Sequence, residues 1–466
     1  MQNELEHTAT APVSIRIELP DQPEFRAAAA IAATLEAAGF PTRFVGGSVR
    51  DLLLGGTPHD YDLVTAANPD ELAKFFPDRK LVGKAFGVSL VRSGEFEFEV
   101  AAAREERNYL DGRHPESIRC TRDLAVDVAR RDFTINALML DPATGTVTDT
   151  VGGLADLRSG IVRTVGDPRR RFSEDYLRMF RAVRFAARFG FELEPDTRRA
   201  IVELAPRTAL LPAERIRSEV ERILLSPRPD EGVELLSATG ILAAALPEVE
   251  ALHGVEQPPE FHPEGDVWRH TMLMLHNLTL PSPRVAWSAL LHDIGKPATA
   301  ERDATGRVRF FGHESVGAGL ADALLQRLRF ANDERESIVS AVRNHMRFAA
   351  VRDMREAKVR QLIADPNFPV EAELHRLDCS ACHGMMEGYC FLLDRLATAP
   401  RTELPEPWVK GRDLVAAGIP PQPAFSKVLK ECFERQLAGE DAGKEAALAY
   451  ALSCFEGKTS AAGTEK

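Results

Sequence analysis

An α+β chain is predicted by a change of pattern along the sequence. Up to about residue 150, short apolar runs alternate with glycine-rich turns, as strands and short helices do. Beyond it the spacing becomes helical: Ser173 reads as the start of a helix running past Arg188, Leu211–Glu219 as another, and the region from His270 as more of the same. A mixed β-sheet is therefore expected in front, followed by mostly helical regions.

The elements follow in order. Arg43-Phe44-Val45 reads as a short strand entering Gly46-Gly47, and Val49–Leu54 as the start of a helix. Glycine tolerates positive φ and has no side chain, so a phosphate can approach its amide, with Ser48 as a further donor. Gly55-Gly56-Thr57-Pro58 is a turn, and Asp60-Tyr61-Asp62-Leu63-Val64 a second strand. Side chains alternate along a strand, so Asp60 and Asp62 share a face. Two such carboxylates repel unless cations sit between them. A pair of divalent ions there, expected to be Mg²⁺, would activate a hydroxyl and steady a leaving pyrophosphate. The pattern points to nucleotidyl transfer. Phe86–Val91 and Glu95–Val100 flank Arg92-Ser93-Gly94 as a hairpin, with Glu95, Glu97 and Glu99 on one face. Glu99 is a candidate third carboxylate at the metal site.

Arg130–Leu138 sets two cations, Asp132 and Asn136 around a short apolar core, suited to phosphate and ribose hydroxyls; Arg131 belongs to this grip. In the 166–178 segment, Glu174 and Arg178 are i,i+4 and Asp175 and Arg178 i,i+3, so one helix would bring the three to one face. Asp175 only accepts and Arg178 only donates. Cytosine and adenine each offer an amino donor beside a ring-nitrogen acceptor, whereas guanine and uracil reverse this. The pair is expected to select C and A, with Glu174 holding Arg178. Arg163, Arg169, Arg170, Arg171, Arg178, Arg181, Arg184 and Arg188 form a basic run, and Arg181, Arg184 and Arg188 are expected to meet RNA phosphates.

In this order and spacing, these blocks resemble the class II tRNA nucleotidyltransferases, the CCA-adding enzymes, from about Phe44 through the Leu211–Glu219 helix. The resemblance implies a nucleotidyltransferase head at residues 20–150 and a helical neck at 151–250. It makes Asp60 and Asp62 the catalytic metal ligands, lays Gly46, Gly47 and Arg50 against the triphosphate, puts Asp132 near the ribose, and makes Glu174, Asp175 and Arg178 the amino-acid template for CTP and ATP. Arg107–Cys120 resembles the family's flexible loop. The implied partner is tRNA. Relatives adding only A or only CC remain open, as does a bacterial poly(A) polymerase. Leu81–Phe86 comes near a basic-Phe element of the polymerases, but Ala85 replaces an expected basic residue.

A second constellation follows. His270, His292-Asp293, His313, His345 and Asp378 are ligand types of a hydrolytic metal centre. Leu290–Pro297 resembles the HD phosphohydrolase motif, which implies an HD-like domain at 255–395 with a divalent metal of unstated identity. Within the family it is linked to phosphatase or 2′,3′-cyclic phosphodiesterase activity, and an HD hydrolase with an RNA-binding head is the alternative reading. Residues 396–456 are expected to be a helical tRNA-contacting region, with Lys410 and Arg412 as phosphate contacts, and 457–466 a disordered tail.

The net charge of −12 argues for local rather than global complementarity to nucleic acid. Six cysteines in 466 residues do not form a disulfide framework, and Cys379-x-x-Cys382 has no second pair to complete a zinc site. No signal peptide, transmembrane run or tandem repeat is read, so a cytoplasmic protein is expected. The oligomeric state is left open.

Overall fold

The chain divides into two units, Met1–Glu250 and Ala251–Lys466. They are seen in a computed structural model that describes residues 12–82, 87–109, 115–260, 262–263, 265–279, 281–382, 384–398 and 404–456.

The first unit opens with a mixed sheet. Its strands are β1 (Val13–Arg16), β2 (Thr42–Val45), β3 (Asp62–Thr65), β4 (Lys80–Val82), β5 (Val88–Ser93) and β6 (Phe96–Ala102). A separate hairpin, β7 (Arg104–Tyr109) and β8 (Pro115–Cys120), precedes the last two strands, β9 (Met139–Asp141) and β10 (Thr146–Asp149). The sheet order is β1-β10-β9-β2-β3-β6-β5-β4. Among the described strands of this sheet only β3 and β6 pair in parallel, with Leu63 opposite Val100. That crossover sets Asp62 beside Glu99, one residue before the paired positions.

Helices α1 (Pro23–Ala37), α2 (Gly47–Leu53), α3 (Pro69–Phe75) and α4 (Leu124–Ala129) accompany the sheet. Local chemistry explains α3: Asn68 accepts from Asp70 and Glu71, Glu71 returns a bond to the Asn68 amide, and Pro69 occupies the first turn. In the core, Tyr61 packs against Phe25 and Phe44 with ring centroids 5.5 Å away. Tyr61 is buried while Asp60 is exposed and Asp62 half-buried, as alternation requires. Strand β3 itself begins only at Asp62, so Asp60 lies on the approach to it.

The helical remainder of this unit begins with α5 (Gly153–Ser159), α6 (Pro168–Glu174), α7 (Leu177–Phe189) and α8 (Pro195–Leu204). After these come α9 (Ala213–Leu224), α10 (Pro229–Ala238), α11 (Ile241–Ala245) and α12 (Pro247–Glu250). One expectation is corrected here. The single helix read from Ser173 past Arg188 is two helices. Asp167 caps α6 by accepting from the Arg170 amide, Pro168 occupies its first turn, and the helix ends at Glu174. Asp175 is extended (φ −156°, ψ 106°), and α7 starts after it.

The second unit holds α13 (Val267–His276), α14 (Pro283–Leu291), α15 (Lys296–Thr299), α16 (His313–Arg327), α17 (Asn332–Asn344), α18 (Glu356–Ile363), α19 (Phe368–Ala381) and α20 (Glu387–Thr398). Helices α21 (Gly411–Ala416), α22 (Ala424–Ala438) and α23 (Lys444–Glu456) complete it around buried Val409, Leu414, Val428 and Cys432. Among the described residues no helix is long and apolar enough to cross a membrane. Residues 83–86 of the poly(A)-like element Leu81–Phe86, residues 110–114 of the segment resembling the flexible loop, and residues 457–466, expected to be a disordered tail, lie outside the described residues.

Candidate active site and candidate metal centre

In the first unit, the sheet brings Asp62, Glu99 and Asp60 into electrostatic contact. The Asp62 carboxyl is pushed up to about 6 by burial, with Glu99 and Asp60 adding to the rise and Arg131 opposing it. Three acids crowded this way favour a shared cation. Gly46 closes the approach from β2. Its φ of 78° suits glycine, and a Cβ there would lie 3.3 Å from Arg131 Nη1 and 3.5 Å from Asp62 Oδ2. The turn, the Arg131 cation and the Asp62 carboxylate therefore face one space. The donor set fits divalent cations: oxygen ligands only, with burial first and the neighbouring acids second raising the proton affinity of Asp62.

Arg50, expected to lie against the triphosphate, stands beside the glycine pair, its Nη2 3.4 Å from where a Gly47 Cβ would be. It is buried, donating to Asn136 Oδ1 over 2.6 Å and to Asp51 Oδ1 over 2.8 and 2.7 Å. Its guanidinium lies over Phe185 and Phe189, 5.1 and 4.7 Å from the ring centroids. Asn136 Nδ2 in turn donates to Asp132 Oδ1. Arg50 thus ties α2 to the 130–138 segment and to α7.

Arg181, Arg184 and Arg188, expected to meet RNA phosphates, each pair with an acid within the same unit; Arg184 is buried, Arg181 half-buried and Arg188 exposed. Arg181 binds Asp132, Arg184 binds Glu219 at 2.7 Å, and Arg188 reaches Asp51 at 3.3 Å. Sequence reasoning missed Glu219 and Asp51 as partners. Burial pushes the Asp132 carboxyl up, but Arg181, Asn136 and Arg178 outweigh it and hold the group well below the usual range.

At the α6–α7 break, Glu174 Oε2 accepts from Arg171 Nη1 at 2.8 Å and from Arg178 Nη1 at 2.6 Å. Arg178 also donates to the Arg171 carbonyl. Asp175 is gripped by Arg215 of α9, at 2.8 Å from Nη2, and accepts from the Leu177 amide. The three template candidates are brought together by a helix break rather than by one helical face. Arg215 and Arg171 are the supports that spacing did not reveal. Lys410 and Arg412 in the second unit are exposed, Lys410 bridging to Glu406.

The second unit carries the histidine cluster. His270 comes from α13, His292 and Asp293 from the end of α14, His313 from the start of α16, His345 from the end of α17, and Asp378 from α19. His270–His292–Asp293 and Asp293–His313–His345 form two groups of converging ligand atoms. His270 Nε2 lies 3.0 Å from Asp378 Oδ1. Gly295 allows the approach of α16, since a Cβ there would meet the His313 carbonyl at 2.1 Å.

The tautomers follow from the backbone. His292, His313 and His345 direct Nδ1 at the carbonyls of Ala289, Phe310 and Val342, at 2.9, 2.8 and 2.7 Å. A carbonyl only accepts, so Nδ1 carries the proton and Nε2 presents a lone pair. His313 Nε2 and His345 Nε2 then stand 3.2 Å apart, with Asp293 Oδ1 at 3.5 and 3.8 Å. Bare lone pairs beside a carboxylate need a cation among them. Burial pushes the His345 imidazole down to about 4 despite Asp293, keeping it a neutral ligand. Burial opposes ionisation of Asp293, but its polar neighbours, Lys296 among them, hold it well below the usual range. These residues fit a divalent metal.

The comparisons with known proteins match three stretches of the chain. Residues 42–163 match the Poly A polymerase head domain, 190–252 the probable RNA and SrmB-binding site of polymerase A, and 266–365 the HD domain. Fold and site define a nucleotidyltransferase head and helical region joined in sequence to an HD domain. The chain is 38% identical over 332 residues to the multifunctional CCA protein of Xanthomonas campestris pv. campestris, covering 68% of this chain and 78% of that relative. It is 43% identical over 212 residues to the CCA-adding enzyme of Leuconostoc mesenteroides, covering 46% of this chain and 53% of the relative. The chain thus spans about half the length of that relative. The solved CCA-adding enzyme of Bacillus stearothermophilus in complex with CTP superposes with a TM-score of 0.72 at 26% identity, covering 94% of this chain and all of that one. The chain belongs to the CCA-adding enzyme family.

Proposed function

We propose that this protein adds CMP and AMP to the 3′ end of tRNA, taking CTP and ATP and releasing pyrophosphate, in the cytoplasm. The observation that carries the reading is Asp62, electrostatically coupled to Glu99 and Asp60, facing Gly46 and Arg131. The names of the relatives and the CTP complex support it.

Asp60 and Asp62, with Glu99 as a third carboxylate, would hold Mg²⁺. When bound, the ions supply Lewis-acid activation of the 3′-hydroxyl and charge stabilisation of the leaving pyrophosphate. The chain's own groups do the rest. Gly46 and Gly47 leave room for the phosphates, and Arg131 adds positive charge beside them. Asn136, held by Arg50 and by Asp132, which Arg181 fixes, offers its remaining amide hydrogen to the ribose. Arg178, oriented by Glu174, donates to the base, and Asp175 accepts from its amino group. A carboxylate has about four lone-pair sites, so Asp175 accepts from both Arg215 and a base.

The test is direct. Protein is incubated with tRNA lacking its terminal CCA, CTP, ATP and Mg²⁺, and the 3′ ends are sequenced. Absence of added C and A would refute the reading, and AMP addition beyond CCA would favour a polymerase. A second activity, hydrolysis of phosphate esters at the HD domain, is favoured by the three bare Nε2 atoms around Asp293. Hydrolysis lost in Asp293→Ala and kept in Asp60→Ala would assign it there.

A further inference from the structure

Gln257 belongs to no motif, yet it stands in the wall of the HD cavity and is only 5% exposed. Its backbone is fixed. The Gln257 amide donates to the Gly265 carbonyl over 3.0 Å, and the Val267 amide to the Val255 carbonyl over 3.0 Å. This pairing braces it against the lead-in to α13, the helix that carries His270. Its side-chain Oε1 accepts from Lys296 Nζ at 2.6 Å. An ammonium has no lone pair, so the amide atom facing it must be oxygen, and Nε2 is the other. That Nε2 is buried and has no hydrogen-bond partner among the described residues. A buried donor left this way is costly until an acceptor arrives.

The surroundings say which acceptor. Lys296 Nζ also contacts Asp293 Oδ2 at 2.6 Å, so amide, ammonium and metal-ligand carboxylate form one row. The cavity, about 840 Å³, is also lined by Arg309 and Arg352. An unmet N–H, a cation and a metal cluster in sequence suit an anion with several equivalent oxygens.

We propose that Gln257 is a phosphate-binding residue of the HD cavity. Its Nε2 donates to a non-bridging oxygen of a phosphate mono- or diester, while its Oε1 holds Lys296 towards the same group. The inference rests on the HD domain's reading as a metal phosphohydrolase. It gives that site a specificity for phosphoryl oxygens that the metal ligands alone do not supply.

The test is calorimetry of the full chain with Mn²⁺ and then inorganic phosphate. The signal read is the part lost in Asp293→Ala, which separates the HD site from the head. Gln257→Glu is isosteric, keeps an oxygen for Lys296 and replaces the donor by an acceptor. It should retain Mn²⁺ affinity and weaken phosphate by about ten-fold or more, the loss expected for a hydrogen bond to a charged group. Gln257→Leu should weaken phosphate similarly. Wild-type phosphate affinity in Gln257→Glu would overturn the role while leaving the metal site standing. Parallel loss of Mn²⁺ and phosphate would also overturn it, by showing a purely structural part. If the wild type shows no Asp293-dependent Mn²⁺ binding, the metal reading falls and the inference with it.

Discussion

Arg181 holds Asp132 by two hydrogen bonds to the same carboxylate oxygen, 2.8 Å from Nε and 2.5 Å from Nη2. The other oxygen accepts from the Phe133 amide and from Asn136. Asn136 is bound by Arg50, Arg50 by Asp51, and Asp51 by Arg188. One chain of polar contacts therefore runs from α7 through the nucleotide-side loop and back to α7. It makes the position of Asp132 depend on α7.

Removing Arg181 leaves the Asp132 carboxylate buried without its cation, so Arg181→Ala should destabilise the first unit by about 2–3 kcal/mol, below the usual cost of breaking a fully buried pair because Arg181 is partly exposed. The pH dependence follows. The folded-state pKa of Asp132 is depressed, so its contribution is present above the ordinary carboxylate range and is lost as pH falls through that range and below. Melting curves between neutral pH and about pH 3 should show a smaller acid-induced loss for Arg181→Ala than for wild type, since the variant has less of this stabilisation to lose. An unchanged acid limb would mean that the pair carries no net stability.

Asp62 has the opposite sign. Its carboxyl is raised to about 6, so the folded protein without metal favours the proton. That contribution is full at low pH and is lost as pH rises from about 4, the ordinary carboxylate value, to about 6. Metal must displace this proton. The Mg²⁺-dependent rise in melting temperature should therefore grow between pH 5 and pH 7.5, roughly the window around this titration. In Asp62→Asn it should vanish, together with nucleotide addition. A Mg²⁺ response independent of pH would show that Asp62 is not a ligand.

The carboxylate pair could be read because strand alternation has a period of two and glycine marks a turn. Glu99 could be named as a candidate from its place in the hairpin, but the parallel pairing of β3 with β6 that sets it beside Asp62 is an association distant in sequence. The arginine run illustrates the converse limit. The part from Arg181 to Arg188 lies on one helix, but the acids that pair with Arg181, Arg184 and Arg188 lie 49, 35 and 137 residues away. Asp175 shows a third kind of miss. The i,i+3 relation to Arg178 survives in the sequence although the helix does not, since Pro168 and Asp167 start a separate helix that ends first. The HD ligands were legible by residue type and order. The Nδ1 bonds that set their tautomers are made to backbone carbonyls, which carry no residue-specific signal.

Selection of the base should depend on supports as well as on the template pair. Glu174→Gln weakens a charge-assisted bond to Arg178, and Arg215→Ala frees Asp175 to rotate. Each should raise misincorporation of G and U by about ten-fold, roughly one charge-assisted hydrogen bond's worth, with a smaller effect on tRNA binding. Asp175→Ala and Arg178→Ala should loosen choice further. Competition among the four nucleoside triphosphates, read by sequencing of the 3′ ends, checks this. Unchanged selection of C and A in the direct variants would remove the pair from the template.

Gly295 offers a test of the second unit that touches no ligand. A methyl at this position would meet the His313 carbonyl at 2.1 Å and the Gly317 amide nitrogen at 2.6 Å, both backbone atoms that cannot swing aside. Gly295→Ala must push α16 away from α14, and His313 begins α16. Because His313 and His345 face Asp293 together, the shift separates ligands that must converge. The expected result is a loss of Asp293-dependent metal binding and a stability cost of about 1–3 kcal/mol, the range for overpacking. Nucleotide addition by the first unit should persist. Metal titration and melting measured on the same preparation check both parts. Retention of full metal affinity would show that the cluster tolerates displacement of α16, and that the close approach at Gly295 serves packing alone.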